Sequence, residues 1–329
     1  MSATLVVTRS QVARLLTLDA CIDAIERVLL AHARGRSLPP QLLGFHTPAG
    51  GAFHLKAAGV LGRRALFAAK LNANFGGNPR RGLPRIQGVL ALFDAADGRP
   101  LALMDSIELT ALRTAAMTAV AARRLARADA RTATICGCGL QGRVQLRALL
   151  RVRTLERVWC WDVAPAAAAR FAREMSRELG IPVERARRLP AALRASDVIV
   201  TCTPARRYLV RAADVARGAF VAGVGADSPE KQELAPALLA GSRVVVDSLE
   251  QAATIGDLHH ALAAGAMTRR AVHAELADVV AGRKPGRRSP NETFVFDSTG
   301  IALQDVAAAA CVYERALATG VGRRIALGR

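Results

Sequence analysis

Three glycines with the spacing G-x-G-x-x-G follow an apolar, strand-like run and precede a helix-like run. The first glycine of such a loop permits a tight turn, the second lets the backbone approach a pyrophosphate, and the third lets the helix pack on the strand. The helix N-terminus adds free N–H groups and a partial positive charge. The spacing therefore predicts a dinucleotide-binding loop made of Gly137, Gly139, Leu140, Gln141 and Gly142.

An acidic residue, Asp162, ends the next strand-like run, 20 positions beyond Gly142. A carboxylate at this spacing can accept hydrogen bonds from the adenosine ribose hydroxyls. A 2′-phosphate would meet a negative charge there, so the sequence predicts NAD(H) in preference to NADP(H). Glycine triplets alone often make only turns, but the strand, the helix and the distal acid together favour a dinucleotide site.

The elements that must position these residues change character along the chain. Residues 43–104 show short apolar runs broken by Gly, Pro and Asn, which is typical of antiparallel strands and turns. From 131 to about 250, strands alternate with helical stretches, as in a parallel sheet with crossovers. We expect an α/β protein with an N-terminal α+β domain over 1–128 and a Rossmann-type parallel-sheet domain over 129–300. The boundary is expected inside or just after the helix-like stretch that ends near Ala128.

Length and composition narrow the class of protein. The 329 residues are enough for two ordinary domains. No apolar run approaches the roughly 20 residues of a membrane span, and the N-terminus lacks the pattern of a secretory signal. The lack of a spanning run predicts no membrane partner. The six cysteines show no metal-ligand pairing, so we expect no metal site and reduced thiols in a cytoplasmic protein.

The net charge of +19 raises the possibility of nucleic-acid binding. However, 42 of the 46 basic residues are arginine, and they are spread along the chain without a nucleic-acid-binding motif. We therefore expect no nucleic-acid partner. The remaining four are lysines, and Lys70 is notable because it lies in the apolar run LFAAKLNANF. The alternative for Lys70 is an edge-strand lysine whose ammonium reaches solvent.

Several segments in order resemble the ornithine cyclodeaminase/mu-crystallin family: KLNANFGGNPRRGLPR, ICGCGLQG, GVGADSPEKQELAPALL and FDSTGIALQDVAAA. The resemblance implies a homodimer whose N-terminal domain binds substrate and forms the interface, with the C-terminal helix segment 301–329 joining that domain. It also implies hydride transfer between a nicotinamide and the α-carbon of an amino or imino acid.

The resemblance also implies roles for individual residues. Arg113 corresponds to an arginine that binds the substrate carboxylate, and Lys70 to a lysine beside the carbonyl or imine. Asp227 corresponds to a general base or proton donor, although it could be only a turn residue before Pro229. The segments expected to line the nicotinamide, for which ordinary turns are the alternative, contain Thr203, Pro204, Ser298, Thr299 and Gly300.

Departures from the family pattern concern the substrate. Gln41 stands where the family usually has a cation, and Lys56 lies where many members have a Met-Pro pair, so Lys56 could restore the missing charge. Cyclodeaminases carry an acid shortly before that pair, where this chain has Phe53 and His54. We expect Gln41, His54 and Lys56 to bind substrate together with Arg113.

The sequence thus predicts an NAD(P)H-dependent reductase or dehydrogenase of imino or amino acids. One alternative is a cyclodeaminase that uses NAD catalytically and releases ammonia. Another is a nucleotide- or small-ligand-binding protein with vestigial chemistry, which the set Lys70, Arg113 and Asp227 argues against.

Overall fold

A computed structural model describes residues 3–48, 50–62 and 64–327. The chain is an α/β protein, as predicted, and divides into two compact units. The first unit comprises residues 1–113 and 301–329, and the second comprises residues 114–300. Within the described ranges, no helix is both long and apolar enough to cross a membrane.

The N-terminal part of the first unit is rich in long strands. Its strands are β1 (Thr4–Val7), β2 (Ser37–His46), β3 (Gly51–Val60), β4 (Leu66–Phe75), β5 (Ile86–Asp94) and β6 (Pro100–Asp105). The helices are α1 (Arg9–Leu15), α2 (Leu18–Ala33) and the first part of α3 (Ile107–Leu125), whose residues from Thr114 onward belong to the second unit. Strands β2 to β6 pair antiparallel in chain order, in agreement with the turn-rich pattern of the sequence.

The second unit alternates short strands and helices. Its strands are β7 (Thr132–Cys136), β8 (Arg157–Trp161), β9 (Val183–Arg185), β10 (Val198–Thr201), β11 (Arg206–Val210), β12 (Phe220–Gly223), β13 (Gln232–Leu234), β14 (Arg243–Val246), β15 (Ala274–Glu275) and β16 (Phe294–Asp297). Its helices are α4 (Leu140–Leu150), α5 (Pro165–Leu179), α6 (Leu189–Arg194), α7 (Pro236–Ala240), α8 (Leu249–Ile255), α9 (Asp257–Ala263) and α10 (Leu276–Val280).

The main sheet of the second unit is parallel, with the order β15-β14-β16-β12-β10-β7-β8-β9. Strands β10, β12 and β16 are buried along their whole length, as expected for strands covered on both faces. Strand β7 has β8 on one side and β10 on the other, so the direction in which strands are added to the sheet reverses at β7. Ligands of open α/β sheets bind at such a switch point, outside the carboxyl ends of the strands.

The C-terminal segment completes the first unit with α11 (Ala302–Thr319) and β17 (Arg323–Ile325). Helix α11 packs on α2 and on strands β3 and β4. Strand β17 adds to the edge strand β1, giving the sheet order β17-β1-β6-β5-β4-β3-β2. The segment is therefore not helical throughout, because Gly320 adopts a positive φ of 67° and ends the helix.

The division between the units falls between Arg113 and Thr114. We expected a boundary inside or just after the helix that ends near Ala128, and the division lies inside that helix, ahead of the 128/129 position used for the two ranges. Both positions lie near or within α3, which is continuous from Ile107 to Leu125. Because no glycine or proline interrupts this helix, the sequence carries no local signal of the division.

Candidate active site

The glycine loop of the second unit requires glycine at two positions. Gly137 has a φ of 104°, and a Cβ there would lie 2.9 Å from the carbonyl oxygen of Cys202. A Cβ on Gly142 would lie 2.1 Å from the carbonyl oxygen of Gly137. The loop thus closes on itself and on the segment after β10, as the predicted roles of the first and third glycines require.

The middle glycine leads into a helix. Gly139 precedes α4, and a Cβ built on it would meet nothing within 4 Å. Leu140 and Gln141 form the first turn of that helix. The N-terminal N–H groups of a helix have no partner within it, so this turn can bind an anion that approaches over Gly139.

The carboxylate of Asp162 lies directly beside this loop. Its Oδ2 accepts a hydrogen bond from the Cys138 N–H at 2.9 Å, and its Oδ1 accepts one from the Ala164 N–H at 2.9 Å. A cavity of about 370 Å³ adjoins it, and the lining residues include Gly137, Asp162, Thr203 and Pro204. The structure therefore brings these four predicted cofactor residues together.

Further predicted residues lie in the segments that follow β10, β12 and β16. These strands are parallel neighbours in the sheet, so their carboxyl ends lie at one edge. After β16, the hydroxyl of Thr299 donates to Asp247 Oδ1 at 2.8 Å, and the Gly300 N–H donates to Asp247 Oδ2 at 2.6 Å. Ser298, in the same segment, is buried. Asp247 thus fixes the segment 298–300 through these two hydrogen bonds.

Asp227 follows β12 at the same edge of the sheet. Its side chain is 53% exposed and forms an ion pair with Lys231. Its backbone N–H donates to the carbonyl oxygen of Gly225 at 3.0 Å. The residue is therefore part of a turn and also presents a carboxylate that solvent can reach.

In the first unit, Lys70 and Arg113 converge on one carboxylate. Lys70 on β4 is only 2% exposed, and its Nζ lies 2.8 Å from Asp305 Oδ1 on α11. The Nε of Arg113 lies 3.0 Å from the same oxygen, and the guanidinium also donates to Gln304 Oε1. The Nζ of Lys70 donates to the Thr110 hydroxyl at 3.4 Å. Lys70 is thus a buried cation, which contradicts the alternative that its ammonium reaches solvent.

Burial sets the electrostatics of this cluster. Desolvation, followed by the positive charge of Arg113, lowers the pKa of Lys70 to about 7, although Asp305 opposes the shift. The pKa of Asp305 lies below its usual value despite burial, since Lys70 and Arg113 stabilise the carboxylate. Two cations share one anion, and Lys56 adds to the positive potential. The cluster is therefore suited to an anionic ligand such as a carboxylate.

The register of the sheet places the other predicted substrate residues. Lys56 pairs with Lys70 across β3 and β4, and His54 pairs with Asn72, so both lie on the face of the sheet that carries Lys70. Gln41 pairs with Ala57, the neighbour of Lys56, and therefore lies on the opposite face. The structure therefore does not bring Gln41 together with Lys70, and its role in substrate binding stays a prediction.

Sequence reasoning missed three buried acids and one buried amide that support these residues. Asp305 and Gln304 hold Lys70 and Arg113, while Glu233 and Asp247 hold segments at the edge of the parallel sheet. The usable signal was an acid within an apolar run, since Asp305 lies in ALQDVAAAA. A charged residue in such a helix is expected to be buried only with a partner.

A glycine loop at the switch point of a parallel sheet is typical of the dinucleotide-binding α/β oxidoreductases. The chain belongs to the ornithine cyclodeaminase/mu-crystallin family, whose sequence profile matches residues 2–320. The resemblance drawn from the sequence is confirmed.

Two relatives match nearly the whole chain. The alanine dehydrogenase of Archaeoglobus fulgidus is 38% identical over 329 residues, covering 98% of each protein. The iminosuccinate reductase of Paracoccus denitrificans is 35% identical over 323 residues, covering 98% of this chain and 99% of the relative.

Solved structures show the same fold. Thermococcus litoralis Δ1-pyrroline-2-carboxylate reductase, in complex with NADH and L-proline, superposes with a TM-score of 0.94 at 32% identity, covering 98% of this chain and 100% of that one. An archaeal alanine dehydrogenase dimer with bound NAD gives 0.94 at 36% identity, covering 98% and 99%. A lysine cyclodeaminase gives 0.84 at 31% identity, covering 99% and 96%.

Proposed function

We propose that this protein is an NAD(P)H-dependent reductase or dehydrogenase that transfers hydride at the α-carbon of an imino or amino acid. The observation that carries the proposal is the buried cluster of Lys70, Arg113 and Asp305, in which two cations share one anion. The relatives support it, since they are named as dehydrogenases and reductases of amino and imino acids.

The residues of the second unit fit a dinucleotide. The glycine loop and the first turn of α4 would hold the pyrophosphate, and Asp162 would accept hydrogen bonds from the ribose hydroxyls. The segments with Thr203 and Ser298 would line the nicotinamide, which supplies the hydride when bound. The proposal of NAD is supported by the related structures that contain NAD or NADH.

The residues of the first unit fit the substrate. The guanidinium of Arg113 presents a planar fork of donors that matches the two oxygens of a carboxylate. The ammonium of Lys70 would polarise the C=N bond and stabilise the charge that develops as the carbon gains hydride. Its pKa of about 7 makes both protonation states accessible near neutrality. Asp227 would deliver the proton to the substrate nitrogen.

The reductase assay tests this function directly. Purified protein is given NADH or NADPH together with cyclic ketimine carboxylates, or with pyruvate or glyoxylate plus ammonia or methylamine, and nicotinamide oxidation is followed. Oxidation with one substrate class is the expected result. Ammonia release from ornithine or a related diamino acid, with NAD needed only in catalytic amounts, would instead establish a cyclodeaminase. This is the second candidate function, because the chain is similar to a lysine cyclodeaminase.

Replacing Asp162 with alanine is expected to raise the KM for NADH by roughly 10- to 100-fold, since a hydrogen bond to a charged group is worth about 1.5–3 kcal/mol. The same change removes the repulsion of a 2′-phosphate, so discrimination against NADPH should relax. Asp162→Asn is the matched control, because it removes the charge while an amide oxygen can still accept from Cys138. An unchanged NADH/NADPH preference in both variants would show that other residues select the cofactor.

We also propose that the protein is a homodimer, assembled through the open face of the first unit's sheet. The face opposite Lys70 exposes a cross-strand row with Leu43 at 53%, Leu71 at 40% and Val89 at 45% exposure. Contiguous exposed apolar surface of this kind marks an interaction site. The related archaeal alanine dehydrogenase, described as a dimer, supports the assignment.

Leu71→Arg is expected to convert the dimer to a monomer in light scattering coupled to size exclusion, because it buries a charge in the proposed interface. Leu317→Arg on α11 is the matched control, since Leu317 is also 40% exposed and should tolerate the charge. A Leu71→Arg protein that remains dimeric would contradict this choice of interface.

The remaining proposals concern the cellular compartment and the partners of the protein. We propose that the protein works in the cytoplasm on a small-molecule substrate, with no nucleic-acid partner. The cysteines are free thiols, which is usual for proteins of reducing compartments.

A further inference from the structure

Glu233 on β13 is a completely buried acid whose carboxylate accepts hydrogen bonds from four donors. The N–H and the hydroxyl of Thr203 donate to Oε1, both at 2.6 Å. The hydroxyl of Thr201 donates to Oε2 at 2.8 Å, and the N–H of Gly225 donates to Oε2 at 2.7 Å. Only an ionised carboxylate offers acceptor sites alone, so this arrangement matches the anion.

The four donors come from two different strand ends. Thr201 ends β10, and Thr203 belongs to the segment that follows, which also contains Pro204. Gly225 lies in the segment after β12 that leads to Asp227. Glu233 itself lies on β13, which pairs with β11 outside the main sheet. Its carboxylate therefore joins two segments that the sheet alone leaves free to diverge after their strands end.

Close packing shows how tightly these segments close on Glu233. A Cβ added to Gly225 would lie 2.5 Å from Glu233 Oε2 and 2.3 Å from the Thr203 carbonyl oxygen. A side chain at Gly225 would therefore push the two segments apart. The glycine permits the approach, and the carboxylate holds it.

We propose that Glu233 is a positioning residue of the cofactor site, whose buried carboxylate fixes the segment of Thr203 and Pro204 against the segment of Asp227. This rests on the proposed function, in which the first segment lines the nicotinamide and the second supplies a proton. Glu233 does not touch the reacting atoms. It acts by keeping both segments in one arrangement, so that binding of the dinucleotide does not have to order them.

The charged and titratable groups around Glu233 make this arrangement sensitive to pH. Asp257, at the start of α9, accepts hydrogen bonds from the N–H groups of Glu233 and Leu234 at 2.8 and 2.9 Å. The thiols of Cys136 and Cys202 also face the carboxylate. Burial, followed by the negative charge of Asp257, raises the pKa of Glu233 to about 7, against the lowering effect of the Thr203 and Thr201 hydrogen bonds.

Protonation adds a hydrogen to an oxygen that already accepts two donors, so one of these hydrogen bonds must break or a threonine hydroxyl must turn to accept instead of donate. The ionised form is therefore the one that holds the segments. NADH affinity should be full above pH 7 and should weaken as the pH falls through about 7.

Glu233→Gln is the first test, with the dissociation constant of NADH measured by fluorescence from pH 6 to 8, alongside Tm. A glutamine turns one acceptor oxygen into a donor, so we expect roughly tenfold weaker NADH binding at pH 8, the loss of about one hydrogen bond to a charged group. We also expect the pH dependence between 6 and 8 to disappear.

Asp197→Asn is the matched control. The carboxylate of Asp197 also accepts several donors, including the N–H groups of Arg131 and Thr132, but it precedes β10 at the amino end of the strands. This variant should lower Tm and leave the NADH dissociation constant and its pH dependence unchanged, as a purely structural acid would.

Thr201→Val covers the case in which Glu233→Gln does not fold. It removes one hydrogen bond that lowers the pKa of Glu233, so the pH at which NADH affinity is half lost should move upward. An unmoved midpoint, or a Glu233→Gln protein that binds NADH like wild type at every pH, would overturn the inference. Wild-type protein that binds no NADH would instead overturn the proposed function itself.

Discussion

Replacing Lys70 with methionine is expected to lower kcat/KM for imine reduction by about 10²–10³-fold, the usual cost of removing one preorganised donor from a developing charge. NADH binding should stay near wild type, because Lys70 contacts Asp305 and Thr110, neither of which belongs to the glycine loop. Methionine matches the length of the lysine stem and is apolar. Asp305 keeps its contact with Arg113 in this variant, so the protein should still fold.

The pH dependence gives a second readout for the same variant. If the ammonium polarises the substrate, wild-type kcat/KM should fall as the pH rises above about 7, the pKa to which burial and Arg113 lower Lys70. The carboxylate of bound substrate stabilises the ammonium and so raises the pKa of Lys70. The fall in kcat with rising pH should therefore lie at higher pH than the fall in kcat/KM. In the methionine variant, neither kcat/KM nor kcat should fall in this way as the pH rises.

Lys284→Met is the matched control, since Lys284 is exposed and the chemical change is identical. It should retain wild-type kinetics. A Lys70→Met enzyme with wild-type kcat/KM would show that the buried ammonium serves only to neutralise Asp305.

The parts of the fold that repeat locally could be predicted from the sequence. The glycine spacing, the alternation of strands and helices, and the turn-rich strands of the first unit are all patterns within a few tens of residues. The α/β class and the parallel sheet follow from them. The boundary was expected inside or just after the helix near Ala128, but its exact position within α3 could not be predicted, because a continuous helix shows no break where its surroundings change.

The missed parts of the site depend on distant partners. Asp305 is 235 residues from Lys70 in the chain, and nothing near either residue indicates the pairing. Glu233 stands in the run KQEL, which reads as an ordinary polar turn until its four donors are seen. The face of the sheet on which Gln41 lies could not be predicted for another reason, because a register shift between Leu38 and Gln41 decides it.

The role of Asp227 needs a change that separates charge from turn geometry. Asp227→Asn is expected to lower kcat by about 10²–10⁴-fold, the range that a positioned acid or base contributes. Asparagine supports the same turn, and the backbone N–H still donates to Gly225, so NADH binding should be nearly unchanged. Initial rates and the NADH dissociation constant measured on the same preparation separate the two effects.

Asp278→Asn serves as the control for Asp227→Asn, since Asp278 lies in the same unit and its ion pair with Arg283 is partly exposed. It should leave kcat unchanged. If Asp227 were only a turn residue, asparagine would replace it without loss, because both side chains make the same local hydrogen bonds. Full activity of Asp227→Asn would therefore show that the carboxylate takes no part in the reaction. Lost turnover with intact NADH binding would assign the proton transfer to Asp227.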